Sequence, residues 1–91
     1  MSNWQLAFTP EAHSDLDKLS KNIQRRVIAK LDWLTENFDN LEPLPLSSDW
    51  KGFFKLRVGE WRVIYKIDWV KELIIVWIID KRDQIYKKRI K

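Results

Sequence analysis

Hydrophobic positions along this chain change their spacing from stretch to stretch, and each spacing predicts an element. Trp4–Phe8 (WQLAF) alternates apolar and polar residues, the pattern of a short strand. Thr9-Pro10-Glu11 then gives a helix start: a hydroxyl for the N-cap, a proline at the first helical position, and a carboxylate near the positive helix end. Ala12, Leu16 and Leu19 follow at helical spacing, and Ser20 caps a second helix after a very short connection. In that second helix Ile23, Val27, Leu31, Leu34 and Phe38 form one apolar stripe. The stretch DNLEPLPLSSDW reads as an irregular loop, because neither Pro43 nor Pro45 suits a central strand or a helix interior.

Three strands are predicted beyond it. Phe53–Val58 and Trp61–Ile67 flank Gly59-Glu60, a pair suited to a two-residue type II′ turn. Leu73–Ile79 is continuously apolar, as expected of a strand covered on both faces. The last stretch, DKRDQIYKKRIK, predicts a short helix or a basic tail. The whole is one domain, 1–91, of α+β class in the order β-α-α-β-β-β. Two N-terminal helices pack on one face of a small, mainly antiparallel sheet.

A two-residue turn also sets the hairpin's register. Val58 faces Trp61, Arg57 faces Arg62, Leu56 faces Val63, Lys55 faces Ile64, Phe54 faces Tyr65 and Phe53 faces Lys66. Alternation puts Phe54, Leu56, Val58, Trp61, Val63 and Tyr65 toward the helices. The other face receives Phe53, Lys55, Arg57, Arg62, Ile64 and Lys66. Like charges opposite one another are destabilising, and the hairpin itself supplies no carboxylate to this face. A solvated, solubilising face is the plain reading. A surface awaiting phosphate or carboxylate is the functional one, which the planar guanidinium fork suits.

Composition narrows the chemistry. Apolar residues make up 45% and charged residues 33% of the chain, a globular balance. With no Cys and a single histidine, His13, the usual zinc and thiolate ligand sets are excluded, and no metal or cofactor is expected. With two Gly in all, the usual nucleotide-binding loops are excluded too. No apolar run approaches the ~20 residues of a membrane helix, and the N-terminus lacks the features of a signal peptide. A cytoplasmic protein is expected. The net charge of +4 favours anionic partners. His13, beside Glu11 and Asp15 on a helix, reads as a surface histidine. Trp33 lies off the apolar stripe, where it covers a sheet edge or serves a partner.

The strand, the two helices, the KLRVGEWRVIY hairpin, the apolar strand and KRDQIY together resemble the RelE/ParE toxin superfamily of bacterial type II toxin–antitoxin modules, its RelE-like branch above all. The resemblance covers nearly the whole chain. It implies a first strand parallel to the last, which becomes central. It also implies a metal-independent endoribonuclease that cuts messenger RNA on the ribosome, by attack of a ribose 2′-hydroxyl on the adjacent phosphate. The implied partners are the ribosome, mRNA and a cognate antitoxin with an acidic or amphipathic binding segment. On this pattern Arg62 and Arg82 hold the scissile phosphate. Lys55 and Tyr86 are the proton-transfer candidates, with pKa values expected below the usual lysine and tyrosine ones because of neighbouring cations. Lys51, Phe53, Arg57, Lys66, Lys81, Lys87 and Lys88 complete the expected RNA-contacting set. One departure stands out: the branch commonly carries a second basic residue where this chain has Phe53, a ring able to stack on a base or to pack internally. Two alternatives follow, a ParE-like toxin acting on DNA gyrase without cutting RNA, and a non-catalytic nucleic-acid- or protein-binding module.

Overall fold

In the computed structural model, residues 3–46 and 50–81 are described. The expectations placed on Arg82, Tyr86, Lys87 and Lys88, and on a C-terminal helix or tail, lie outside them. The chain order is β1 (Gln5–Phe8), α1 (Pro10–Asp17), α2 (Lys21–Asn37), a 3-10 turn (Phe38–Asn40), β2 (Leu44–Pro45), β3 (Phe54–Val58), β4 (Trp61–Asp68) and β5 (Leu73–Lys81). Both helix starts follow from their caps. Thr9 Oγ1 accepts the Ala12 N–H at 3.1 Å, and Ser20 Oγ accepts that of Ile23 at 3.4 Å.

The strands form one sheet in the order β1-β5-β4-β3-β2. β1 runs parallel to β5, which is therefore interior, and the remaining pairings are antiparallel. The β3–β4 register is the one the Gly59-Glu60 turn dictates, from Phe54 opposite Tyr65 to Val58 opposite Trp61. Gly59 takes φ +60°, the left-handed conformation this turn needs, beneath the Arg26 guanidinium. Where β1 ends, α1 takes over the edge of β5: the Ile79 N–H donates to Asp15 Oδ2 at 3.1 Å.

The main core lies between helices and sheet. Val27, Leu31, Leu34 and Phe38 meet Leu56, Val58, Val63, Tyr65, Ile74, Val76 and Ile79, with Phe54 and Trp61 packed alongside. This is the predicted inward face of the hairpin. Trp4 closes one end, its indole N–H donating to Asp39 Oδ1 at 2.9 Å and its ring against Phe38 and Trp69.

Three features differ from the sequence expectation. The proline-rich stretch is not wholly irregular, since Leu44–Pro45 pairs with Lys55 and Phe54 as an edge strand. Pro45 fits there because an outermost strand tolerates a missing N–H. The last strand extends past Ile79 to Lys81 and carries a β-bulge: Ile64 pairs with Ile78, but Tyr65 pairs with Val76, leaving Trp77 as the extra residue. Finally, the face away from the helices is not a bare cationic surface. Trp50, Phe53, Ile64 and Ile78 form a second buried cluster there, with Leu46 and Trp77 packed against it. No helix among the described residues is long and apolar enough to cross a membrane.

Candidate functional site

β3 and β4 bring the cations of the hairpin together, and the turn between them sets their order. Arg57 and Arg62 are directly opposed, as the register requires, but their environments differ. Arg57 is exposed, whereas Arg62 is only 7% exposed. The Arg62 Nη1 donates to the carbonyls of Gly59 at 3.1 Å and Trp61 at 3.2 Å, so the turn itself anchors the guanidinium. Lys55, half-buried, follows one alternation along β3 on the same face as Arg57.

An acidic residue invisible to the hairpin argument completes the row. Asp80 on β5 is the register partner of Arg62, so Arg57, Arg62 and Asp80 run side by side across three strands. The bulge at Trp77 is responsible. Without it, Ile79 would stand opposite Arg62 and Asp80 would turn toward the helices. A carboxylate beside the opposed arginines offsets part of their repulsion and orients the row.

The other expected residues distribute unevenly. Lys66 is half-buried with its ammonium over two rings, 4.6 Å from the centre of Phe53 and 5.1 Å from that of Trp77. Phe53 is 4% exposed and lies edge-to-face with Trp50 and Trp77. Its ring is internal packing, closed to an incoming base. Lys51 is exposed in the turn before β3, which begins only at Phe54, so the strand does not carry it onto the Lys55 face. Lys81 is exposed opposite Trp61, on the helix-facing side, with its ammonium 5.8 Å from the Trp61 ring. Lys55, Arg57 and Arg62 are therefore brought together, Lys66 sits farther along β4, and Lys51 and Lys81 stand apart.

Burial on the helix-facing side of β4, the central strand, pushes the Tyr65 phenol up to about 12. His13 lies on the exposed side of α1 with Nδ1 3.4 Å from Asp17 Oδ2, far along the chain from the cationic row. Among the described residues no group of three or more His, Cys, Asp or Glu side chains is placed to hold a metal ion. The arrangement suits holding an anion: two guanidiniums, one of them fixed by carbonyls, and an ammonium on a rigid strand pair. Sequence reasoning missed Asp80, Trp50, Leu46 and Trp77 as neighbours of this face. The only signal for them is the apolar-aromatic character of WIID and of the loop, which does not disclose a bulge.

Residues 6–86 match the family model described as the ParE toxin of type II toxin–antitoxin systems, parDE. No curated protein matches the sequence. Among solved structures, the RelBE2 toxin–antitoxin complex of Mycobacterium tuberculosis contains a similar chain, with 28% identity and TM-score 0.76, covering 87% of this chain and 98% of that one. The isolated RelE toxin of E. coli superposes with TM-score 0.72 at 19% identity over 92% of each chain. YafQ of E. coli superposes with TM-score 0.62 at 18% identity, covering 92% of this chain and 99% of that one.

Proposed function

Because the chain belongs to the ParE toxin family of type II toxin–antitoxin systems, we propose that it is a toxin that blocks translation by cutting messenger RNA on the ribosome, in the cytoplasm, and that a cognate antitoxin restrains it. The observation that carries this reading is the Arg57–Arg62 pair with Lys55 beside it, a cationic row held on paired strands with one guanidinium locked to the turn. The likeness to the chain in the mycobacterial RelBE2 complex supports both the toxin role and the antitoxin partner.

The reaction uses few groups. The 2′-hydroxyl loses its proton as it attacks the adjacent phosphorus. The P–O5′ bond breaks, a 2′,3′-cyclic phosphate forms, and the 5′-oxygen takes up a proton. Such a step needs a proton acceptor, a proton donor and positive charge against the pentavalent phosphorane. Arginine is effectively always protonated, so Arg62 and Arg82 serve charge and position. Arg57 holds the neighbouring backbone phosphate. Lys55 and Tyr86 move the protons, and Tyr86 offers a ring for stacking on a base. Lys51, Lys66, Lys81, Lys87 and Lys88 act at longer range on the RNA backbone. Phe53 supports this face from within.

A gyrase-directed toxin is the second reading. It is favoured by the description of the matched family as ParE and by the buried, apolar Phe53 at a position where RelE-like chains commonly carry a base. Expression of the protein without an antitoxin separates the two. New mRNA ends inside translated codons, with plasmid supercoiling unchanged, are expected. Intact mRNA with supercoiling inhibited replaces the nuclease reading with the gyrase one.

A further inference from the structure

Trp33 has no place on the apolar stripe of α2, and the structure leaves it 41% exposed. It stands where α2 and the outer part of β3 do not close on each other, in the wall of two adjoining cavities of about 500 and about 250 Å³. Cations surround the ring. Arg26, Lys30 and Trp33 follow one another at helical spacing, so they share one side of α2. The Lys30 ammonium lies 4.0 Å from the centre of the indole. Across the gap, Arg57 lines both cavities and Lys55 the smaller one. Among the described residues no ion pair engages any of these four cations.

The hairpin turn joins this cluster to the Arg57–Arg62 row. A side-chain carbon at Gly59 would stand 2.8 Å from Arg26 Nη2, so the bare glycine lets that guanidinium lie against the turn. The Gly59 carbonyl meanwhile accepts from Arg62 Nη1 at 3.1 Å. One turn therefore carries two guanidiniums, Arg62 from its own strand and Arg26 from the helix. Arg57 links them, opposite Arg62 in register and in the wall of both cavities. β2 pairs only with Phe54 and Lys55, and no described strand covers the outer edge at Arg57. A cationic track thus runs from Arg62 through Arg57 to Lys30 and Arg26, around the edge of the sheet, and ends at an exposed indole.

We infer that the end of this track is a nucleotide subsite for single-stranded RNA, in which a base stacks on Trp33 while Arg26, Lys30 and Arg57 hold the adjoining phosphates. The match is one of alternating parts. A single strand offers a flat base and a singly charged phosphate in turn, and an indole set among guanidiniums and an ammonium meets both. Lys30 lies against one face of the indole, which leaves the other to the base. A cavity of about 500 Å³ falls within the range of about 300–1,000 Å³ that small ligands occupy. Other occupants fit less well. A second copy of the chain brings net charge +4 to a cationic site. An acidic peptide answers the cations but brings no flat ring to the indole. Duplex RNA keeps its bases paired and stacked inside the helix. That the strand is a message held for cutting rests on the nuclease reading above; the fit of the subsite to single-stranded RNA does not.

The test is an NMR titration of the full ¹⁵N-labelled chain with 2′-O-methyl hexauridylate, an abasic oligomer of the same length and charge, and hexaglutamate. The hexauridylate is expected to shift the Trp33 indole N–H and the amides of Arg57, Val58 and Gly59, and the abasic oligomer to bind about tenfold more weakly. Trp33→Ala, at an exposed position, should lower hexauridylate affinity by about tenfold, and Trp33→Phe, which keeps a ring, should retain most of it. Arg26→Gln and Lys30→Gln should each flatten the dependence of log affinity on log salt by about 0.7, the share of one phosphate contact on a single strand. Lys21→Gln, at the start of α2 and outside the cavity walls, should leave binding unchanged. Equal affinity for the two oligomers, undiminished binding by Trp33→Ala, or tighter binding of hexaglutamate at the same signals overturns the inference. A 2′-O-methyl strand has no free 2′-hydroxyl and cannot be cut, so the outcome is independent of whether the nuclease reading holds.

Discussion

Replacing Phe53 by alanine tests whether the face that carries Arg62 is built on a closed apolar cluster. The ring is 4% exposed, with edge-to-face contacts to Trp50 at 5.7 Å and Trp77 at 5.4 Å, and the Lys66 ammonium lies 4.6 Å from its centre. Truncating a buried phenylalanine costs about 3–5 kcal/mol, lost transfer free energy and residual cavity together. The aromatic pairs account for about 0.5–1.5 kcal/mol each within that sum. Loss of the ring beneath Lys66 adds about 0.5–1 kcal/mol. Against the roughly 5–14 kcal/mol expected for a domain of this size, Phe53→Ala removes a large share of the stability. Urea denaturation followed by tryptophan fluorescence should show the midpoint falling by about 3.5–6 M at an unchanged slope near 1 kcal/mol/M. Phe53→Leu should lose less than half as much. A Phe53→Ala midpoint within about 1 M of wild type would refute the closed cluster and leave the face open, as the sequence alone suggested.

Further outcomes follow from single contacts. Arg62→Ala and Arg82→Ala should each relieve growth arrest; for Arg62→Ala the stability cost should stay near 1–2 kcal/mol, from the lost bonds to Gly59 and Trp61, as read by thermal unfolding. Undiminished toxicity in both variants refutes the site. Asp15→Ala leaves the Ile79 amide without its acceptor at a part-buried position and should cost about 1–3 kcal/mol in the same assay. Tyr65 is buried with its phenol pushed up to about 12, so above pH 10 the unfolded chain ionises this group first and binds fewer protons. Stability should therefore fall with rising pH, by about 1–2 kcal/mol at pH 12 once solvent screening is discounted. Tyr65→Phe should remove that component, and an identical pH profile in the variant contradicts it.

The hairpin was legible because its register depends on local chemistry. One glycine at a two-residue turn determines which side chains oppose, so the Arg57–Arg62 pair and the inward row from Phe54 to Tyr65 could be read directly. The helices were legible through Thr9 and Ser20, whose hydroxyls do what capping predicts. The rest depends on contacts distant in sequence. Trp77 gives no local sign that it is a bulge residue, yet that bulge brings Asp80 to Arg62. Trp50 and Leu46 sit in a stretch without periodicity, so their packing over Phe53 could not be inferred from spacing. Pro45 argued against a central strand and said little about an edge, which is where it lies. For the site, the cations on β3 and β4 were legible, but their unequal burial was not, because it depends on that second cluster.

RNA cleavage by the Arg62 face is measured most directly with purified components. Messenger RNA bound to programmed ribosomes is incubated with the protein, and primer extension then locates the ends. New ends are expected within the codon held in the decoding site, carrying a 2′,3′-cyclic phosphate upstream and a 5′-hydroxyl downstream, and none with Arg62→Ala. Full-length message with the wild-type protein, or cleavage unchanged in Arg62→Ala, contradicts cleavage by that face.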